Sequence, residues 1–208
     1  MITITLTNAG RKFNNDWIFN HINQTFEQGK AYGIIGNNGS GKSTLLQVLT
    51  SQLLLSQGEC LFTQHNQVCN ANAWHSYYSF ASPYLQLFEE YSVTELLQFH
   101  ATIKPFYSGL TTDVIIDKLN LKKQQHKAIR YYSSGMKQRV KLALALYSNM
   151  PVLLLDEPTS NLDAQNTAWF QEQLQHYATN RLVVVASNSV PSELFMCEQI
   201  ININDYKK

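Results

Sequence analysis

The chain has 208 residues, of which 44% are hydrophobic and 15% are charged, with a formal net charge of +1. This length suits one folded unit with a sizeable core, and the near-neutral charge does not favour a nucleic-acid partner. The apolar runs are far shorter than the roughly 20 residues of a membrane-spanning helix, and the N-terminus lacks the features of a secretory signal. We therefore expect a cytoplasmic protein that does not itself cross a membrane and binds no nucleic acid.

The N-terminal third is predicted to be rich in β-strands. Ile2, Ile4 and Leu6 alternate with threonines, as in an edge strand, and a further short strand is predicted at 59–62. Between these two strands an apolar run, Ala31–Ile35, leads into a glycine-rich loop. A helical pattern follows that loop, so the sequence predicts strand, loop and helix in succession.

The glycine-rich loop, residues 36–44, reads GNNGSGKST and matches the phosphate-binding pattern G-x-x-x-x-G-K-[ST]. Its glycines let the backbone approach a polyphosphate closely, and its N–H groups can then cradle the negative charge. Lys42 supplies a positive charge for the β and γ phosphates, and the Ser43 hydroxyl is placed to bind Mg²⁺. A plain glycine-rich turn before a surface helix is the alternative. The candidate nucleotide-binding residues of this loop are Gly36, Asn37, Asn38, Gly39, Ser40, Gly41, Lys42, Ser43 and Thr44.

Between about 83 and 150 the pattern becomes helical, which predicts an inserted helical subdomain. Ser92 and Glu95 have the spacing of a capping box at the start of a helix that runs through His100. Two further helices are predicted, at 112–119 and 136–147.

The last part of the chain alternates strands and helices. Buried strands are predicted at 152–155 and 182–187 and a final strand at 199–203, with helices at 164–177 and near 192. This alternation predicts an α/β fold with a mainly parallel sheet and right-handed crossovers. Residues 1–82 and 151–208 would then form the catalytic core. In such sheets ligands bind at the carboxyl ends of the strands.

The strand predicted at 152–155 ends in two adjacent carboxylates, Asp156 and Glu157. Successive side chains of a strand point in opposite directions, so the two carboxylates can divide the work. Asp156 would hold Mg²⁺ through water, while Glu157 would polarise the water that attacks the γ-phosphate. Acidic residues that merely end a strand at a loop are the alternative.

Three segments, in this order, resemble the ATP-binding subunit of an ATP-binding cassette (ABC) transporter. They are the phosphate loop, the signature segment YSSGMKQR at 132–139, and LLLDEPTSNLD at 153–163. The resemblance covers essentially the whole chain and implies a P-loop nucleoside triphosphate hydrolase core with an N-terminal antiparallel portion. It also implies an ATPase that uses ATP and Mg²⁺ and drives separate membrane-spanning permease subunits. Those subunits would hold the chain at the cytoplasmic face of the membrane.

A head-to-tail dimer, with a second copy or with a related chain, is also implied by the resemblance. Ser133 and Gly135 of one subunit would cap the γ-phosphate of ATP held by the other, and residues 161–163 would pass signals across the interface. An ordinary helix cap is the alternative for Ser133. Phe13 stands where the family has an aromatic residue that stacks on adenine. Trp17 is the rival, and either could instead belong to the core.

Two positions depart from the family pattern. Ser82 stands where the family has a glutamine that senses Mg²⁺ and the attacking water, and Gln86 could substitute for it only if the loop is rearranged. Asn188 replaces a histidine, and it can donate a hydrogen bond to a γ-phosphate but cannot carry a positive charge. We therefore expect an active ATPase of modest rate, with Glu157, Lys42, Ser82 and Asn188 as the catalytic residues.

Several functions stay open at this point. The leading one is an energy-coupling subunit of a transporter, with the segment 84–91 as a docking surface for the permease or, alternatively, as a packed loop. A soluble cassette protein acting in translation, DNA repair or cluster assembly is a second class. A nucleotide-gated binding module with slow hydrolysis is a third, which Ser82 and Asn188 leave open. If the signature is accidental, a nucleoside kinase is the runner-up, although the sequence has no arginine-rich lid segment.

Overall fold

A computed structural model describes residues 1–207 and contains two β-sheets and six α-helices within that range. The strands are β1 (Ile2–Phe13), β2 (Asp16–Glu27), β3 (Ala31–Ile35), β4 (Gln57–Gln64), β5 (Gln67–Val68), β6 (Tyr78–Ala81), β7 (Val152–Asp156), β8 (Leu182–Ser187) and β9 (Gln199–Asn202). The helices are α1 (Lys42–Leu49), α2 (Val93–Ile103), α3 (Thr112–Lys118), α4 (Ser134–Tyr147), α5 (Ala164–Tyr177) and α6 (Pro191–Leu194). None of these helices is both long enough and apolar enough to span a bilayer.

The antiparallel sheet has the strand order β2-β1-β4-β5. β1 therefore has a neighbour on each side, and the prediction that it is an edge strand is wrong. Its alternation does place Ile2, Ile4 and Leu6 in the core. A period of two residues shows that one face of a strand is buried, but it does not show how many strands pair with it.

The second sheet has the order β6-β7-β8-β3-β9, and all of its pairs are parallel. Every residue of β7 and β8 is buried, because both faces of this sheet are covered. Val152 and Leu154 pack in a core shared with α1 and the antiparallel sheet. Leu153 and Leu155 pack on the opposite face against α2, α3, α4 and α5. The predicted α/β fold, with its antiparallel N-terminal portion and helical insertion, is confirmed.

Helix boundaries follow the capping residues. The capping box of Ser92 and Glu95 is present at the start of α2, as predicted. α4 begins at Ser134, two residues before the predicted start, because the Ser133 hydroxyl accepts a hydrogen bond from the Met136 N–H and caps the helix there. β4 is longer than predicted because it pairs with β1 along its whole length, and the sequence pattern does not show this pairing.

Four parallel strands end at the same edge of the second sheet. Ala81 of β6 pairs with Leu155 of β7, and Ile35 of β3 pairs with Ser187 of β8. The residues that follow these four strands therefore lie side by side. They are the phosphate loop after β3, Ser82 after β6, Glu157 after β7 and Asn188 after β8.

Candidate functional site

A cavity of about 310 Å³ opens at the carboxyl edge of the parallel sheet. Residues 38–44 of the phosphate loop and the start of α1 form most of its wall, and Ile18, Tyr84 and Glu157 complete it. Neither Ile18 nor Tyr84 is predicted from the sequence as part of this site, although Tyr84 belongs to the segment 84–91. An aliphatic strand residue and a loop tyrosine carry no chemical pattern of their own, so no signal in the sequence identifies them.

The phosphate loop requires glycine at position 41 for two reasons. Gly41 has a φ of 107°, in the left-handed region that side chains disfavour. A Cβ atom at this position would also lie 2.4 Å from the Ile18 Cγ2 atom of β2. The loop thus packs directly on β2, and its backbone stays exposed to the cavity.

The first turn of α1 faces this cavity without a side-chain cap. Gly41 occupies the N-cap position and provides no hydrogen-bonding side chain, and the first turn contains no acidic residue. The N–H groups at the start of a helix have no partners within the helix, and the helix dipole makes this end positive. This arrangement suits a bound anion such as a phosphate group.

The Lys42 ammonium group is the buried cation of the site, with 4% of the residue exposed. Its Nζ donates hydrogen bonds to the carbonyl oxygens of Gly36 (2.9 Å) and Asn37 (3.2 Å) and to Asn188 Oδ1 (2.7 Å). An ammonium group has three N–H donors, so these bonds satisfy all of them. Lys42 Nζ also lies 4.0 Å from Glu157 Oε1.

The Asn188 side chain connects this cation to Glu157. While its Oδ1 accepts from Lys42, its Nδ2 donates to Glu157 Oε1 at 2.9 Å. The backbone of Glu157 has a φ of 41°, and its N–H donates to the Ala186 carbonyl at 2.8 Å. A non-glycine residue in this backbone region is strained, and such strain is often found at functional sites. The structure therefore brings together Lys42, Glu157 and Asn188, which the sequence proposed as catalytic residues.

Asp156 is buried beside this group, with 2% of the residue exposed. Burial raises the pKa of its carboxyl group and the neighbouring Glu157 charge adds to this, while hydrogen bonding from Ser43 opposes the shift. Asp156 Oδ2 accepts a 3.4 Å hydrogen bond from the Ser82 hydroxyl. Its Oδ1 is buried and has no hydrogen-bond partner within residues 1–207. An unpaired carboxylate oxygen beside a serine hydroxyl fits the oxygen ligands that Mg²⁺ prefers.

Ser82 is buried next to Asp156, while Gln86 lies elsewhere. The Ser82 hydroxyl also accepts a hydrogen bond from the Tyr84 N–H at 3.3 Å. Gln86 is exposed and lines two neighbouring grooves, not the phosphate-loop cavity. Ser82 is therefore the side chain that the structure places at the end of β6.

Phe13 and Trp17 lie on the β1–β2 hairpin, and neither lines the cavity. Phe13 is 44% exposed and its ring lies under the Arg11 guanidinium, 4.6 Å from the ring centroid. Trp17 pairs with Lys12 across the hairpin. Ile18, the next residue of β2, is the one that reaches the phosphate loop.

The signature residues lie outside this cavity. Ser133 is exposed at the start of α4, and neither it nor Gly135 lines the cavity of its own chain. A Cβ atom at Gly135 would lie 3.0 Å from the Asn161 carbonyl oxygen, so α4 starts in close contact with the segment that follows Glu157. Ser133 and Ser134, at the start of this helix, are exposed.

Comparison with known proteins shows the family. A family model described as "ABC transporter" matches residues 19–160, which is more than half of the chain. An uncharacterized ABC transporter ATP-binding protein of Bacillus subtilis, YybJ, is 26% identical over 97% of this chain and 92% of its own length. The cytochrome c biogenesis ATP-binding export protein CcmA of Brucella abortus is 31% identical over 84% of this chain and 79% of its own length.

The fold agrees with this assignment. A dimeric structure of MJ0796, a bacterial ABC transporter cassette, superposes with a TM-score of 0.79 over 96% of this chain and 94% of that one, at 20% sequence identity. The chain therefore belongs to the ABC transporter family and is an ABC ATP-binding domain, a type of P-loop ATPase.

Proposed function

We propose that the chain binds ATP with Mg²⁺ at the carboxyl edge of the parallel sheet and hydrolyses it by means of Glu157. The observation that carries this proposal is the convergence of a buried cation, a carboxylate and an amide. Lys42 and Glu157 lie 4.0 Å apart and both bind the same Asn188 side chain. A phosphoryl-transfer site needs positive charge for the phosphates and a carboxylate for the attacking water.

The phosphates would lie against the phosphate loop and the start of α1. An incoming phosphate oxygen would compete with the Gly36 and Asn37 carbonyls and with Asn188 for the N–H donors of Lys42, and the charge of the phosphate favours the exchange. Mg²⁺, held by Ser43 and Asp156, would neutralise charge that develops on the β and γ phosphates. The free Oδ1 atom of Asp156 is the atom that supports this assignment.

Glu157 would act on water. Its carboxylate would accept a hydrogen bond, and then the proton, from a water molecule whose oxygen bonds to the γ-phosphorus, while the bond between the γ-phosphorus and the oxygen bridging to the β-phosphate breaks and ADP leaves. Asn188 donates to Glu157 Oε1 and so fixes the direction of the carboxylate. Because an amide does not titrate, Asn188 offers a fixed neutral donor where a histidine would be charged at low pH. This supports turnover at a modest rate, and slow hydrolysis by a nucleotide-gated module is the alternative.

We further propose that two chains, identical or related, form a head-to-tail dimer around ATP. Ser133 lies exposed at the start of α4 and does not line the phosphate-loop cavity of its own chain. The helix start could therefore contact a γ-phosphate only in another subunit, where its N–H groups would form a second anion site. The cassette of similar fold, MJ0796, is dimeric, which supports a dimer of this chain.

A membrane-spanning permease is the partner that we propose for the helical part of the chain, which we take to be about 83–150. The segment 84–91 exposes Tyr84 (81%) and Phe88 (57%). Beside it lies a groove of about 720 Å³ whose wall also includes Lys137 and Lys141 of α4. Exposed aromatic side chains next to a groove are typical of protein interfaces. Through such a partner the chain would lie at the cytoplasmic face of a membrane.

Two acidic residues of this segment are paired within the chain. Glu89 Oε1 accepts a 2.6 Å hydrogen bond from Lys137 of α4, and Glu90 Oε2 accepts a 2.8 Å hydrogen bond from Arg130. Both pairs are exposed enough that each contributes little to stability. They hold the segment against the signature region, which leaves the aromatic side chains as the groups that a partner would contact.

Replacing Asp156 by asparagine tests the metal site and has a pH signature. The raised pKa means that the folded chain binds a proton more tightly than the unfolded chain, so the ionised carboxylate destabilises the fold at neutral pH. We therefore expect Asp156→Asn to raise the Tm of the nucleotide-free chain at pH 7. The gain in Tm should vanish as the pH falls below the ordinary aspartate pKa of 3.8, because the carboxyl group is then neutral in the folded and the unfolded chain. In the same variant, Mg²⁺ should no longer strengthen ATP binding. Asp205→Asn is the matched control, and an Asp156→Asn variant that keeps its Mg²⁺ dependence would contradict the assignment.

Replacing Glu157 by glutamine tests the hydrolytic carboxylate. The change keeps the size of the side chain but removes its ability to take a proton from water, so phosphate release should fall by about 100-fold or more. ATP should still bind, and the chain should elute as a dimer in the presence of ATP. Glu198→Gln, an exposed site with the same charge change, should retain the parent rate. Release of phosphate by Glu157→Gln at the parent rate would show that another group activates the water.

The shared site of the dimer can be tested by mixing two inactive variants. Lys42→Ala removes the phosphate cation, and Ser133→Asp still caps α4 but places a negative charge where the γ-phosphate would lie. In a head-to-tail dimer of one variant with the other, one of the two sites has an intact Lys42 opposite an intact Ser133. An equal mixture should therefore recover about a quarter of the wild-type rate, the share expected for random pairing in a two-fold dimer.

The control for this mixture places both changes in one chain. Lys42→Ala mixed with the double variant Lys42→Ala/Ser133→Asp leaves no site with an intact Lys42 and should stay inactive. If the first mixture also stays inactive while the wild-type chain hydrolyses ATP, Ser133 does not act on the site of a second copy.

The docking segment can be tested with Phe88→Asp. A charge in place of a central aromatic contact should lower the fraction of the chain that sediments with its native membranes by about 10-fold. ATP binding should not change, because Phe88 does not line the phosphate-loop cavity. Val68→Asp, at an exposed apolar position of β5 in the antiparallel sheet, is the control. A wild-type chain that stays in the soluble fraction would favour the soluble class of cassette protein.

A further inference from the structure

Glu193 is a buried acidic residue on α6, outside the site described above. Only 3% of it is exposed, although α6 is a short helix near the surface of the fold. Burying a carboxylate is costly unless hydrogen bonds replace the water that it loses. The hydrogen bonds of the Glu193 carboxylate therefore indicate the role of this residue.

The Glu193 carboxylate binds the loop after β7 and the last residue of β8 at once. Its Oε1 accepts hydrogen bonds from the Thr159 N–H (2.9 Å) and from the Thr159 hydroxyl (2.7 Å). Its Oε2 accepts a hydrogen bond from the Ser187 hydroxyl, whose oxygen in turn accepts from the Val190 N–H at 3.0 Å. Hydrogen bonds to a carboxylate are stronger than those between neutral groups.

Glu157 and Asn188, the proposed catalytic pair, lie in the same two segments of the chain. Thr159 follows Glu157 by two residues after β7, and Ser187 directly precedes Asn188 at the end of β8. The side chains of Glu157 and Asn188 are themselves in contact, because Asn188 Nδ2 donates a hydrogen bond to Glu157 Oε1. Thr159 and Ser187 are thus joined through Glu193. A displacement of either residue would lengthen the hydrogen bond between Asn188 and Glu157.

We propose that Glu193 is a positioning residue that fixes the loop after β7 against the loop after β8 and so holds Glu157 and Asn188 in contact. The inference rests on the proposed role of Glu157 in ATP hydrolysis. It assigns no contact with ATP to Glu193, which lines no part of the phosphate-loop cavity. Small errors in the placement of a catalytic group cost rate much more than binding.

The first test is the separation of rate from affinity. Glu193→Ala should lower kcat by about 10- to 100-fold, a loss typical of a misplaced catalytic group, while the Kd for a nonhydrolysable ATP analogue changes by less than about 2-fold. Glu193→Gln should give an intermediate kcat, because its amide oxygen still accepts from Thr159 but its amide nitrogen cannot accept from Ser187. Glu198→Ala, at an exposed position directly before β9, is the control that should leave both values unchanged.

The decisive test is a double-mutant cycle across the carboxylate. Thr159→Val removes the hydroxyl hydrogen bond to Glu193 but keeps the one from the backbone N–H, and Ser187→Ala removes the hydrogen bond on the other side of the carboxylate. If Glu193 joins the two segments, weakening either side loosens both, so the loss of kcat in the double variant should be smaller than the product of the two single losses. In a Glu193→Ala background neither change should lower kcat further. Losses in kcat that multiply would overturn the proposal, because the two residues would then act independently.

A second measurement needs no hydrolysis and separates this proposal from the proposed function. In the nucleotide-free chain, Glu193→Ala should speed amide hydrogen exchange in both segments, 157–160 and 187–190, because each has lost its anchor. Faster exchange confined to α6 would overturn the positioning role even if the chain is an active ATPase. Exchange that rises in both loops of a chain with no ATPase activity would support the mechanical link while refuting the assigned reaction.

Discussion

The solvation of one buried ammonium group determines the arrangement of the site. Burial removes the Lys42 ammonium group from water, so each of its N–H donors needs an acceptor within the protein. An unpaired buried charge would cost too much free energy for a marginally stable fold. Two loop carbonyls and Asn188 supply the three acceptors. Directly before Lys42, Gly41 adopts a left-handed conformation and packs against Ile18, which a side chain at this position would prevent. Without ATP, the protein thus provides Lys42 with the oxygen atoms that phosphate would provide when bound.

The parallel sheet determines which residues can take part. The loops after β3, β6, β7 and β8 share one edge because the pairs between these strands are in parallel register. β7 is buried on both faces, so its apolar run must end where polar groups can reach water or a ligand. Asp156 is the last residue of the strand and retains an unpaired oxygen, while Glu157 turns away through a left-handed backbone conformation. The adjacent carboxylates therefore lie in different surroundings and can perform different tasks.

Much of this could be predicted from the sequence, because the signals are local. Buried strands appear as apolar runs, helix starts follow capping residues, and the phosphate loop is a contiguous pattern. The missed features are non-local. The place of β1 inside its sheet depends on pairing with β4, and Ile18 is part of the site only because β2 packs on the loop. Glu193 resembles a surface residue of a short helix until its contacts with Thr159 and Ser187 are seen.

The segment after Glu157 connects the proposed hydrolytic site with the start of α4. On one side Glu193 binds Thr159, and on the other side the buried Gln138 of α4 donates from Nε2 to the Pro158 carbonyl at 3.0 Å. The same helix meets the Asn161 carbonyl at Gly135. Buried hydrogen bonds of this kind hold their partners in one geometry, since breaking them leaves polar groups unpaired. In the proposed dimer, a shift of α4 on contact of Ser133 with a phosphate of the second subunit would therefore move the loop that carries Glu157. Hydrolysis in one site would in this way depend on what the start of α4 has bound in the other.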